Sequence, residues 1–189
     1  MALSRRNAGT LTAGLAVLAS LVLAGSAFGA DNREVRIQDD CDQVTFDKAV
    51  GPGTCVGDGR TTFADFLAEF QDEGSVDRWR FTRTDFNIDG NGTIQVTNEG
   101  GELHTFTEVS FFGNGCIPLF DNPKARNPFN CATDFPDKIV AESGVFPGTT
   151  RQISAAVLGP GVHRFQCAIH PWMRSTVEVR AKGDRGGRG

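Results

Sequence analysis

The sequence predicts an all-β sandwich, preceded by a short helical extension and interrupted by a disulfide-stapled loop. Three observations lead there. From about Val76 the chain breaks into short runs of alternating apolar and polar residues, divided by Gly, Pro and Asn. Its five cysteines follow an N-terminal stretch with the features of a secretory signal, so four of them are expected to pair. The fifth, Cys167, lies in CAIHPWM, where Cys167, His170 and Met173 fall three residues apart.

The opening stretch, residues 1–30, begins with Arg5 and Arg6. It continues as an apolar run from Leu11 to Leu23, too short to span a membrane. Ala27-Phe28-Gly29 offers a small-x-small cleavage site. It reads as an export signal, with Ser4-Arg5-Arg6 a weak pointer to twin-arginine export. The expected location is therefore periplasmic or extracellular, with no membrane span after signal removal. Losing both arginines and no acid takes the formal charge from −4 to −6. A mildly acidic chain argues against a nucleic-acid partner. The closing GDRGGRG, residues 183–189, reads as a flexible tail.

Residues 31–75 form the expected extension. A short strand fits 34–38, with Val35 and Ile37 on one face. Cys41 and Cys55 bracket a turn-rich loop, and Cys116 and Cys131 bracket another. Of the three pairings open to four cysteines, the sequential one is expected. Each closed loop would contribute about 3 kcal/mol through the unfolded state. In TTFADFLAEFQ, Phe63, Phe66, Leu67 and Phe70 fall at helical spacing, Thr62 is placed to cap, and Gly74 follows the end.

Residues 76–182 form the expected sandwich, read as antiparallel, with strands in 78–84, 93–98, 104–109, 151–158, 162–167 and 175–180. In the first of these Trp79 and Phe81 point inward; in the second Ile94 and Val96 do. Residues 111–137 break the alternation as a long insert, and loops of that length are often functional. NIDGNGTI, residues 87–94, copies the front of a calcium loop. Its twelfth position is Asn98 rather than a bidentate glutamate, so a turn into the next strand is the better reading.

In CAIHPWM a thiolate, an imidazole and a thioether share one short loop. Sulfur with imidazole selects copper or zinc over magnesium or calcium, and a thioether suits the weak axial position of a copper site. Such a site needs a second histidine. His163 lies four residues before Cys167 in an extended run, roughly 13 Å away, and its parity with Phe165 points it into the core. His104 opens a strand after the loop NEGGEL and is the preferred partner.

Two stretches, GTIQVTNEGGELHTFTEV and GPGVHRFQCAIHPWMRSTVEV, together resemble the cupredoxins, the blue copper proteins of the plastocyanin and amicyanin group. The resemblance covers about residues 78–181. It implies a Greek-key β-sandwich holding a type 1 copper ion at His104, Cys167, His170 and Met173. It also implies that Asn98 ties the two ligand loops together, with Pro171 and Trp172 restricting and shielding the second.

The function so implied is carriage of single electrons between redox partner proteins. A self-contained copper enzyme needs a second copper with more histidines, and only His163 remains. The alternatives are a copper-binding accessory or chaperone protein, and an electron-donating subunit of a larger copper oxidoreductase. The insert starts seven residues after His104, so Phe111, Phe112, Ile117 and Phe120 are expected to cover the copper end.

Overall fold

The computed structural model describes residues 31–181; the expected export signal and the expected tail lie outside that range. Two four-stranded sheets face each other. The first has β1 (Asn32–Gln38), β2 (Arg80–Phe81), β4 (Thr93–Asn98) and β8 (Thr150–Ser154), in the order β2-β1-β4-β8. The second has β3 (Asp85–Asp89), β6 (Thr107–Val109), β9 (Gly161–Gln166) and β10 (Arg174–Arg180), in the order β3-β10-β9-β6. A two-stranded ladder joins β5 (His104–Thr105) to β7 (Gly144–Val145). This is the cupredoxin-like β-sandwich that the resemblance implies.

Period-2 burial makes the two inner faces. Val35, Ile37, Ile94 and Val96 come from the first sheet; Phe86, Ile88, Val177 and Val179 come from the second. Phe106 stacks on Phe165 between the layers at 4.3 Å and meets Phe81 edge-on at 5.0 Å.

Three expectations need correction. The sheets are mixed: β1 runs parallel to β4 with Val35 opposite Val96, and β3 runs parallel to β10 with Val177 opposite Phe86. Alternation reports a half-buried face and carries no information on pairing direction. Residues 32–38 are also not an appendage, because β1 lies inside the first sheet between β2 and β4. Finally, 151–158 turns from strand into the short helix α5 (Ala155–Leu158) after Ser154. The turn expected at 89–92 is present, closed by the Gly92 N–H on the Asp89 carbonyl at 2.7 Å.

The rest of the extension folds over one end of the sandwich. Helix α1 (Gln43–Ala49), inside the first disulfide loop, is capped by Asp42, which accepts from Thr45 N–H. Helix α2 (Phe63–Glu73) follows the expected bounds: Thr62 accepts from Asp65 N–H, and Gly74 closes it at φ 70°. Both expected disulfides form, Cys41–Cys55 and Cys116–Cys131. The insert contains a 3₁₀ turn (Pro118–Phe120), α3 (Cys131–Asp134) and the start of α4 (Asp137–Ser143). Among residues 31–181 no helix is long and apolar enough to cross a membrane.

Phe66 is the residue by which α2 is anchored. It is 1% exposed and meets Trp79 at 4.8 Å, Phe46 at 5.6 Å and Phe120 at 5.7 Å. Phe66→Ala is expected to lower the stability by about 3–5 kcal/mol in urea unfolding. A loss below about 1 kcal/mol would show that the helix does not depend on this contact.

Candidate metal centre

Two loops meet at one end of the sandwich. Residues 99–103 lead from β4 into β5 and deliver His104; residues 167–173 link β9 to β10 and carry Cys167, His170 and Met173. The second loop is closed by Cys167 N–H on the Met173 carbonyl at 3.1 Å and by Met173 N–H on the His170 carbonyl at 3.0 Å. The tight turn explains the three-residue spacing, because residues 167, 170 and 173 come back on one another.

The donor atoms converge. His104 Nδ1 lies 3.2 Å from His170 Nδ1 and 3.9 Å from Cys167 Sγ, and the three ligand atoms lie within 4.8 Å of one another. His104 and Cys167 are 0% exposed, Met173 1% and His170 2%. Cys167 is the free cysteine among the described residues. His163 stands apart and half-buried, bridging Glu108 Oε1 at 2.6 Å and the Gly159 carbonyl at 2.9 Å.

The surroundings favour a thiolate. Burial opposes ionisation of Cys167, but hydrogen bonds and charge from His104 and His170 outweigh it and hold the thiol well below its usual range. The N–H groups of Thr105 and His170 point at Sγ from 3.4 and 3.5 Å. Burial likewise opposes charge on His104. A hydrogen bond to Asp39 and the neighbouring Cys167 prevail, and its pKa is pushed up to about 10. Behind His170 stands Glu102, whose carboxyl is raised by burial, an effect partly offset by His170, His104 and Trp79 Nε1–H. Its Oε2 is 3.7 Å from His170 Nε2.

The donor set fits a soft, thiophilic cation. Two imidazole nitrogens and a thiolate in a dry site match copper or zinc, and a buried methionine, Met173, on the same loop favours copper.

Aromatic rings enclose His170. Trp172 lies at 5.3 Å, Phe120 at 5.8 Å and Phe66 at 6.1 Å. Trp172 also donates from Nε1 to the Trp79 carbonyl at 3.1 Å. Pro171 is buried, its carbonyl takes Arg174 Nε–H at 2.7 Å, and its ring lies beside Gly115 of the insert. Beside His170, a narrow cavity of about 180 Å³ is walled by Phe46, Phe63, Phe66, Ile117 and Phe120. The insert therefore brings Ile117 and Phe120 to the site. Phe111 and Phe112 do not reach it, lying instead under Arg126 and Arg174.

Asn98 plays a different part from the one the resemblance implies. Its side chain donates to the Glu102 and Val145 carbonyls at 2.7 and 2.9 Å and accepts from Gly100 N–H at 2.9 Å. It shapes the first loop and ties it to β7. Thr105 joins the two ligand loops: its hydroxyl accepts from Ala168 N–H at 2.8 Å, and its own N–H faces Cys167 Sγ. Asp39 is the other residue that sequence reasoning missed; His104 Nε2–H donates to its Oδ2 at 2.9 Å. The available signal was Gly100-Gly101. A Cβ at Gly101 would stand 2.5 Å from Gly57 N and 2.7 Å from Cys41 Sγ, and one at Gly100 would collide with the Asp39 carboxylate.

The fold and the buried His-Cys-His group together define a cupredoxin-like sandwich with a candidate metal centre at one end. No protein-family model matches the sequence, and no curated protein matches it. Among solved structures, a purple cupredoxin from Nitrosopumilus maritimus aligns over 78% of this chain and 98% of its own, at 13% identity and a TM-score of 0.40. A reduced Cu(I) amicyanin variant aligns over 56% of this chain and 78% of its own, at 13% identity and a TM-score of 0.34. A blue copper oxidase from Nitrosomonas europaea aligns over 80% of this chain and 39% of its own, at 12% identity and a TM-score of 0.35. Overlap at this level is loose, and the description of the fold rests on the strand order and register given above.

The pKa of His104 sets a pH dependence. Below about pH 10 its ring holds both protons in the metal-free protein, and a metal must displace the one on Nδ1. Metal uptake is therefore expected to release protons, and the apparent affinity to rise with pH across the range below 10. Calorimetric titration in buffers of different ionisation enthalpy measures the release. Uptake without proton release at pH 7 would contradict this account of His104.

Proposed function

We propose that the protein is an exported carrier of single electrons, holding one copper ion at His104, Cys167 and His170 with Met173 as a weak fourth donor. The observation that carries this reading is the convergence of two imidazole Nδ1 atoms and a thiolate in a buried pocket. When bound there, copper supplies a one-electron couple between Cu(II) and Cu(I).

The chain's own residues suit that task by holding still. Cys167, His170 and Met173 sit on one loop closed by its own backbone hydrogen bonds, and His104 is held from the opposite side by Asp39. Donors that cannot rearrange suit both oxidation states, which keeps the cost of each electron transfer low. The donor side chains are buried from water, which suits a carrier that passes electrons without binding a substrate. The partners on this reading are redox proteins that approach the copper end, where an aromatic collar covers His170. Two disulfides support residence in an oxidising compartment.

The test is to load the mature chain with Cu(II) and record visible absorption and electron paramagnetic resonance. An intense blue or purple band with a narrow copper hyperfine splitting is expected. Cys167→Ser should abolish the band, whereas Met173→Leu should retain copper and raise the reduction potential. His163→Phe should leave the spectrum as it was. An unaltered spectrum in Cys167→Ser would overturn the reading.

A further inference from the structure

We infer that Asp39 is a positioning residue for this metal centre: its carboxylate fixes the His104 ring with Nε2–H turned away and Nδ1 facing the metal, and thereby lowers the reduction potential. The inference rests on the copper reading of the site.

Asp39 follows the end of β1, outside the two ligand loops, and its side chain is fully buried. Each oxygen has a defined task. Oδ2 accepts from His104 Nε2–H at 2.9 Å and from Glu102 N–H at 3.1 Å. Oδ1 accepts from Gly101 N–H at 2.8 Å and from Cys41 N–H at 3.4 Å. The loop that delivers His104 is thus wrapped around this one carboxylate. Gly100 and Gly101 lack the side chains that would force the loop off it.

The bond to His104 differs in kind from the others. Any acceptor would satisfy the backbone N–H groups. An anion on Nε2–H additionally fixes the tautomer and raises the basicity of the opposite nitrogen. A buried negative charge one imidazole away from the ion also favours the more highly charged Cu(II) over Cu(I). His170 has no equivalent, because Glu102 stands 3.7 Å from its Nε2 and takes the Trp79 indole N–H instead. Asp39, Glu102 and His104 also lie close enough to suggest a metal group of their own. The N–H donors already on both carboxylates speak for the hydrogen-bonded arrangement.

Two measurements on the full mature chain test the inference. In the first, Asp39→Asn is loaded with Cu(II) beside the unsubstituted protein. The expected result is a retained thiolate-to-copper band, a reduction potential more positive than that of the unsubstituted protein, and a changed hyperfine splitting. An unchanged potential in a folded, coloured Asp39→Asn protein would overturn the role of Asp39 while leaving the copper reading intact. If the unsubstituted protein develops no colour, the copper reading itself fails. The second measurement needs no substitution: ¹⁵N-edited NMR of the Cu(I)-loaded protein. His104 should carry a slowly exchanging, strongly downfield Nε2–H and no proton on Nδ1. A His104 ring without that Nε2 proton would overturn the inference even if Asp39→Asn does not fold.

Discussion

The end of the sandwich that carries the His-Cys-His group is organised around one difficult requirement, a thiolate kept in a dry site. Cys167 is fully buried, and an unpaired anion there would be strongly disfavoured. The fold meets the requirement from three directions: N–H groups of Thr105 and His170, two imidazoles, and Asp39, which steadies one of those imidazoles from behind. These groups come from three separate parts of the chain, residue 39, residues 104–105 and residue 170, so the site forms only when the sandwich is closed.

The N-terminal segment supplies that closure. β1 completes the first sheet, and its far end places Asp39 under the His104 loop. The Cys41–Cys55 staple then holds the next turn against the same loop, where Cys55 bridges to Glu102 and Val56 N–H reaches the Gly101 carbonyl at 2.8 Å. Helices α1 and α2 bring Phe46, Phe63 and Phe66 over His170, and the insert adds Ile117 and Phe120. Both segments outside the resemblance thus contribute to the wall of one centre. That explains why His170 is only 2% exposed.

The legibility of each part follows from its range along the chain. The candidate ligands of the second loop are three residues apart, so spacing alone pointed to them. His104 was legible because a histidine opening a strand can face a loop at the same end. Helix α2 announced itself by a periodic run of phenylalanines, whereas α1 buries Phe46 alone and shows no stripe. Asp39 is 65 residues from His104, and one aspartate in an acidic stretch carries no local mark. The parallel pairing of β1 with β4 was hidden for a similar reason, since a half-buried strand alternates in the same way whichever neighbour it takes. The resemblance implies that Asn98 ties the two ligand loops, whereas its bonds stay within the first loop and reach β7, because a resemblance transfers residue type more securely than hydrogen-bond partner.

The measurement that bears most directly on the central claim is the position of the ion itself. Crystals of the copper-loaded chain, with diffraction recorded on both sides of the copper absorption edge, would locate it without reference to colour or kinetics. The account predicts a single strong anomalous peak bounded by His104 Nδ1, His170 Nδ1 and Cys167 Sγ, with Met173 on one side and Asp39 outside the coordination shell. A peak bounded instead by the Asp39 and Glu102 carboxylates, or one that leaves Cys167 out of contact, would contradict it.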